Sequence, residues 1–259
     1  MIRVLSRPLL LVACLATLST AAVQADPRTP QRGARVPVDA ELPFYSFRED
    51  HDPNGIGKFY MNREIAYVMG FGAAPWLERP QREREEQLTK MVKALQLKPG
   101  MVVADVGAGS GVISVRMARF VGAKGKVLAV DIQEEMLELL SRKLDQRKIK
   151  NVEPVLGTIR SPRLEEGTVD LAIMVDVYHE FSHPYEMMLG ISRAMKPGGR
   201  VVFVEFRKED REVPIKLVHK MSIDQVKQEM SPPEFRLRFQ ETIDILPWQH
   251  IIIFEKVEG

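Results

Sequence analysis

Cysteine is almost missing from this chain of 259 residues: there is one, Cys14. A disulfide-stapled scaffold is thereby excluded, as is any site built on several thiolates. An excess of one charge is missing too. The 37 Lys and Arg stand against 35 Asp and Glu, so there is no electrostatic case for a nucleic-acid partner. Beyond the N-terminus there is no long apolar run, which excludes a multi-span membrane protein. What remains is 45% hydrophobic and 28% charged, the composition of a globular chain able to bury a sizeable core.

The N-terminus reads as a secretory signal peptide. Arg3 and Arg7 form a positive start, and Pro8 to Val23 carries no charge. Val23-Gln24-Ala25 then offers small residues at the −3 and −1 positions of a cut before Asp26. Cleavage there predicts a periplasmic or secreted protein, with no membrane attachment afterwards. It also removes Cys14 and two cations, leaving cations and acids equal in number. Leu11-Val12-Ala13-Cys14 resembles a lipobox, which would instead lipidate Cys14, but the apolar stretch runs on past that cysteine.

Residues 26–80 read as an N-terminal arm and lid, and residues 81–259 as the main domain. Residues 26–40 are rich in Pro, Arg and Gln and should be loose. Residues 41–80 hold eight of the 18 aromatics and should pack on something. A turn is expected at Asp52-Pro53-Asn54-Gly55, a short helix over 61–70, and a charged helix from Pro80 to Leu97. The Arg/Glu run of that helix, Arg82 to Glu86, reads as a solvated face.

From Met101 short β-branched runs alternate with helical ones. Strands are expected at 101–106, 126–130, 152–156, 169–175 and 200–206, with helices at 112–121, 134–147 and 184–195. That pattern predicts an α/β fold, a parallel sheet with helices on both faces. Ser222 to Gln225 reads as a capping box. Phe235, Leu237 and Phe239 alternate with polar residues, and 248–255 is a final apolar strand. Together they suggest an antiparallel pair closing the sheet.

Gly107-Ala108-Gly109-Ser110-Gly111 lies between the first of these strands and its helix. Bare backbone and a helix N-terminus suit a nucleotide-like ligand. Asp131, ending the next strand, can take both hydroxyls of a ribose. A dinucleotide fingerprint needs a glycine where Val112 stands. Asp105, just before the loop, would repel a pyrophosphate and attract an ammonium group. The pattern therefore favours a zwitterionic, phosphate-free ligand such as S-adenosylmethionine over NAD.

Asp105 to Gly111, Val130-Asp131 and Met195-Lys196-Pro197-Gly198-Gly199-Arg200 before a strand resemble the class I S-adenosylmethionine-dependent methyltransferases. The nearest flavour is the small-molecule group typified by ubiquinone/menaquinone-biosynthesis enzymes. The resemblance spans about residues 91–206, and more loosely the C-terminal hairpin. It implies a doubly wound, Rossmann-like sheet of seven strands with the last antiparallel. It implies S-adenosylmethionine against Gly107, Ala108, Gly109 and Gly111, with Asp105 helping to hold the amino group. Asp131 would bind the ribose and Ile132 would pack on adenine. The family often has an acid after the third strand; here Thr158, or the backbone of Ile159, would take the adenine amino group.

The strand end facing the methyl group in that family reads Asp176-Val177-Tyr178-His179-Glu180. Asp176 is a candidate for the methionine ammonium. His179 and Glu180 are candidates to deprotonate an acceptor, against the plainer reading that they hold the loop. His179-Glu180-Phe181-Ser182-His183 also matches H-E-x-x-H. That zinc motif needs both histidines on one helical face. Here it follows a strand, and Pro184 disfavours helix at His183, so no metal site is expected. Lys216, His219 and Lys220 read as an exposed basic helix face, or as contacts for an acidic substrate.

The expectation is therefore methyl transfer to a small molecule. A non-catalytic nucleoside- or metabolite-binding module on the same scaffold is the alternative, since an exported protein leaves the site where its cofactor is made. An NAD-dependent oxidoreductase ranks third. Nothing in the sequence sets the methyl acceptor or the oligomeric state.

Overall fold

The computed structural model describes residues 44–258. The residues read as a signal peptide, Cys14 among them, and the expected loose arm at 26–40 lie outside the described residues. The chain divides into residues 1–38 and a compact unit, Asp39–Gly259; only the second is described.

Three short antiparallel strands come first: β1 (Tyr45–Phe47), β2 (Gly55–Tyr60) and β3 (Arg63–Ala66). The turn at Asp52–Gly55 forms as expected, with the Asn54 N–H donating to Asp52 Oδ1. The helix expected over 61–70 does not form. Met61 and Asn62 both take positive φ, so they make a two-residue hairpin loop of the kind that matches strand twist. Asn-Gly announces such a loop in a sequence; Met-Asn does not.

The segment crossing to the main sheet carries three short helices, α1 (Ala74–Leu77), α2 (Arg82–Glu86) and α3 (Leu88–Ala94). The single helix expected from Pro80 to Leu97 is broken at Gln87, whose φ is 52°. The break lets two faces serve different ends. Leu88, Met91 and Val92 of α3 enter the core, while Arg82 and Glu86 of α2 are buried elsewhere. The solvated face read from the Arg/Glu run is thus wrong at those two positions.

The main domain then runs β4 (Val102–Val106), α4 (Val112–Val121), β5 (Lys126–Asp131), α5 (Glu134–Arg147), β6 (Val152–Leu156) and β7 (Val169–Val175). It continues with α6 (Pro184–Ala194), β8 (Met195–Phe206), α7 (Ile223–Glu229), β9 (Leu237–Ile243) and β10 (Gln249–Lys256). The sheet order is β6-β5-β4-β7-β8-β10-β9. β10 runs antiparallel to both neighbours, and the other adjacent pairs are parallel. This is the α/β, doubly wound, seven-stranded sheet that the alternating pattern and the family resemblance imply.

Two apolar layers cover the sheet. Val103, Ile173, Val202 and Ile251 face one, with α3, α4 and α5. Ala104, Met174, Phe203 and Ile252 face the other, with α6 and α7. Ser222 caps α7 by accepting from the Gln225 N–H at 3.1 Å. Among the described residues no helix is long and apolar enough to cross a membrane.

Parallel strands leave their C-terminal ends together at one edge, and the order reverses between β4 and β7. Ligands in open α/β sheets bind at that switch point. The β4–α4 loop, the end of β5 and the end of β7 all open there.

Candidate active site

A cavity of about 440 Å³ occupies this edge. Val106, Gly107, Gly109, Asp131 and Ile132 line one end, and Asp176, His179, Glu180 and His219 the other. Val68, Met69, Trp76 and Leu77 lie over it from the N-terminal segment.

The glycine loop is bare for mixed reasons. Gly107 has φ 78°, and a Cβ there would lie 2.4 Å from Val177. Gly109 has φ 53°, and a Cβ would lie 2.7 Å from Leu77 of the overlying segment. Gly107 and Gly109 line the cavity, whereas Ala108 and Gly111 do not. Ala108 belongs to the core, and Gly111 packs on Leu140. Four of the loop N–H groups are also committed internally. Gly107 and Ala108 donate to Val130 O, Gly109 to Asp131, and Gly111 to Ala108 O. Ser110 Oγ donates to Glu78, placing a carboxylate beside the start of α4, where a phosphate would otherwise sit. With four N–H groups turned inward and a carboxylate at its end, the loop is poorly suited to a phosphate, which fits a nucleoside without one.

Asp131 ends β5 with its carboxylate at the cavity. Its Oδ2 accepts from the Gly109 N–H at 2.8 Å and its Oδ1 from the Gln133 N–H at 2.9 Å. Each oxygen keeps a second lone pair for a sugar hydroxyl. Burial raises its pKa, against the pull of those N–H donors. Ile132 and Ile159 expose apolar surface on the cavity wall, suited to a flat base. Thr158 is not there: its hydroxyl oxygen accepts from Arg160 N and Ser161 N in a local turn.

Asp105 is placed differently from the expectation. It is buried below the loop, away from the cavity lining, and accepts from Ser114 Oγ at 2.5 Å. Burial pushes its pKa up to about 6. Asp176 lines the cavity instead. It takes a left-handed conformation, φ 50°. Gln249 donates to its Oδ2, while its Oδ1 is buried with no partner. Burial, with Glu86 and Glu205 nearby, raises its pKa well above the ordinary value. The unpaired oxygen is closed to solvent, and the carboxylate as a whole is a candidate for a cationic ligand group through the residue's place on the cavity wall.

Sequence reasoning missed Arg82. It lines the cavity, donates to Glu86 at 2.7 Å, and sits 3.9 Å from Asp176. It missed Gln133 as well, whose amide clamps the overlying segment. Gln133 Nε2 donates to Met69 O at 3.0 Å, and the Phe71 N–H donates to its Oε1 at 2.7 Å. Neither role shows in a local pattern, because Asp176 on one side and Met69 and Phe71 on the other lie more than 60 residues from Arg82 and Gln133 respectively.

At the other end, His179 Nδ1 lies 2.6 Å from Glu205 Oε2. The second Glu205 oxygen accepts the Tyr178 N–H. A carboxylate facing Nδ1 holds the proton there and leaves the Nε2 lone pair toward the cavity. Burial opposes the charged ring, yet Glu205 keeps the pKa of His179 above its ordinary value. Glu180 Oε2 accepts from the Met69 N–H at 3.2 Å, and burial lifts its pKa to about 7. His219 arrives from the segment between β8 and α7. Burial lowers its pKa to about 4, and His179 and Lys216 add to that. His179 and Glu180 thus share the cavity with His219, which the sequence had grouped with an exposed basic helix.

That helix is not formed. The segment makes only a 3-10 turn at Leu217–His219. Lys216 donates to Asn54 Oδ1, and Lys220 is buried and donates to Asp210 O. The H-E-x-x-H spacing is likewise not helical. Tyr178–Glu180 is a 3-10 turn, Phe181 is extended, and His183 lies against Ser182 and Tyr45.

A family model described as a methyltransferase domain matches residues 97–243, and the chain belongs to that family. Demethylmenaquinone methyltransferase of Lactococcus lactis is 30% identical over 116 residues, 45% of this chain and 46% of that one. The ubiquinone/menaquinone biosynthesis C-methyltransferase UbiE of Idiomarina loihiensis is 31% identical over 113 residues, 43% and 45% of the two chains. The match therefore spans under half the length of these curated relatives. A SAM-dependent methyltransferase from Aquifex aeolicus is similar in structure, with a TM-score of 0.68 and 27% identity. That likeness covers 73% of this chain and all of the other.

Proposed function

We propose that the protein transfers a methyl group from S-adenosylmethionine to a small, largely apolar acceptor carrying an ionisable oxygen. The observation that carries this is that Asp131 and Asp176, two carboxylates from different strand ends, line one cavity together with Gly107 and Gly109 of the glycine loop. Asp131 would hold the ribose, Ile132 and Ile159 the adenine, and Gly107 and Gly109 the intervening chain. Asp176 would take the ammonium and Arg82 the carboxylate of the amino-acid end. Bound there, the cofactor supplies a methyl group on a sulfonium centre.

The acceptor half is walled by Met69, Phe181, Met187, Phe206 and Ile215. An apolar molecule fits that wall, and its nucleophile would meet His179 and Glu180. Nε2 of His179, aimed by Glu205, and Oε1 of Glu180 lie 3.9 Å apart and would receive or hold the nucleophile's proton. The segment over the cavity would screen the bound reactants from water, and most of the rate would come from holding the two in line. The curated relatives' names concern quinone biosynthesis, and a phenolic or enolic acceptor matches this wall.

Residues 1–25 support export, with the mature chain beginning at Asp26. N-terminal sequencing of the protein recovered from cell fractions checks this.

Calorimetry with S-adenosylmethionine and S-adenosylhomocysteine tests the cofactor. Both should bind with one site per chain. No binding of either at millimolar concentration overturns the reading. Binding without methylation across a panel of phenols, enols and quinols would point to the non-catalytic alternative.

A further inference from the structure

We propose that His179, Glu180 and His219 form a binding site for one divalent transition-metal ion in the acceptor half of the cavity. The proposal rests on the methyl-transfer reading only for what the ion would do, not for its binding. His179 Nε2 and His219 Nδ1 each lie 3.9 Å from Glu180 Oε1. One ligand atom from each of the three residues lies within 4.8 Å of the others. An ion about 2.1 Å from each ligand needs only a small inward movement of these side chains. His219 stands on a short 3-10 turn and is the member best placed to move.

The chemistry of the set selects the ion. Two imidazoles and one carboxylate suit zinc, iron, cobalt or manganese, and are a poor set for magnesium or calcium, which prefer oxygen. The outer contacts are those a metal site needs. Glu205 holds Nδ1 of His179, so that the Nε2 lone pair faces the cavity. The Met69 N–H occupies Oε2 of Glu180, which leaves Oε1 toward the two rings. Lys216 and Lys220, the cations flanking His219 in sequence, are held by Asn54 and by Asp210 O instead.

Charge points the same way. Glu180 and Glu205 are both buried and both approach His179. Arg63 of β3, whose guanidinium reaches this loop, donates to the backbone oxygen of His179 and spends its charge on Glu229. A divalent ion would balance carboxylates that one imidazolium only partly answers. All three ligands line the cavity. With three protein ligands the remaining coordination positions open toward the acceptor, as in catalytic rather than structural metal sites. With the ion bound, Nε2 of His179 and Oε1 of Glu180 are its ligands and no longer take the nucleophile's proton. The ion's charge would instead favour the acceptor that has already lost that proton to solvent. That narrows the acceptor to molecules that offer the ion an oxygen: a phenol, an enol or a hydroxy-ketone.

The test uses the full chain, stripped with a chelator and titrated with Co²⁺. One equivalent should bind, with the visible ligand-field bands of a low-coordinate site. His219→Ala and Glu180→Gln should each weaken Co²⁺ binding by more than about tenfold, and Glu205→Gln by about 10- to 100-fold. S-adenosylhomocysteine binding should survive in His219→Ala, which shows that this variant is folded. Absence of stoichiometric Co²⁺ binding to the wild type overturns the proposal whatever the variants do. So does Co²⁺ binding that is unchanged in His219→Ala. Should Co²⁺ bind while S-adenosylhomocysteine does not, the cofactor reading fails and the metal site stands.

Discussion

Arg63 and Glu229 form a buried bidentate ion pair across 166 residues of sequence. Arg63 Nε lies 2.6 Å from Oε1, and Nη2 lies 2.9 Å from Oε2. Tyr178 Oη and Gln225 Nε2 donate to the same carboxylate. Arg63 Nη1 reaches on to the backbone oxygen of His179. The pair thus ties the N-terminal hairpin to α7 and to the loop that presents the catalytic candidates. Arg63→Met leaves a buried carboxylate with too few donors and should cost about 3–5 kcal/mol. Adding Glu229→Met should return much of that loss. Urea unfolding of the single and double variants checks both signs.

Asp131 accepts only from N–H groups, so the amide of an asparagine would turn a donor toward a donor. Asp131→Asn should weaken S-adenosylhomocysteine binding by about 10- to 100-fold. Calorimetry measures this directly, and affinity within about twofold of the wild type would remove Asp131 from the site.

Gln133→Ala frees Met69 O and Phe71 N from the clamp over the cavity. The effect should be local: faster amide exchange across residues 67–78, and global stability lowered by about 1–2 kcal/mol. The acceptor KM should rise more than kcat falls, since the covering segment forms the acceptor wall. Hydrogen exchange with mass spectrometry, together with steady-state kinetics, separates the two effects.

Burial holds the pKa of Asp105 at about 6, above its ordinary value of 3.8. The folded state therefore binds a proton more tightly than the unfolded chain. That stability is fully present below about pH 4 and is lost as pH rises through about 6, a change of about 3 kcal/mol at most. Asp105→Asn can still accept from Ser114 and does not titrate. Unfolding free energies from pH 4 to 7 should show the variant gaining on the wild type across that window.

Much of the scaffold is legible in the sequence. Helices 112–121 and 134–147 and strands 152–156 and 169–175 begin and end where hydrophobic period and punctuation place them. Asp131 was legible as well, because a strand end beside a glycine loop leaves its side chain little choice of direction. The N-terminal segment was not. Met61-Asn62 carries no hairpin signal, and nothing local breaks a helix at Gln87. Their conformations are set by what β3 and α2 meet: Glu229 in one case, and the cavity edge with Asp176 in the other.

The chain itself determined the seven-stranded sheet, the bare turn after β4 and the acid one strand over. These are encoded by side-chain period and glycine placement within a few dozen residues. Only the tertiary structure decided which polar groups meet. It sank Asp105 beneath the loop, left an oxygen of Asp176 without a partner, buried Arg82, and brought His219 to His179 and Glu180 across 40 residues. A backbone preference is a local energy, readable from neighbours in sequence. A contact between charged or metal-ligating side chains is a product of where the crossovers land, and no local period records it.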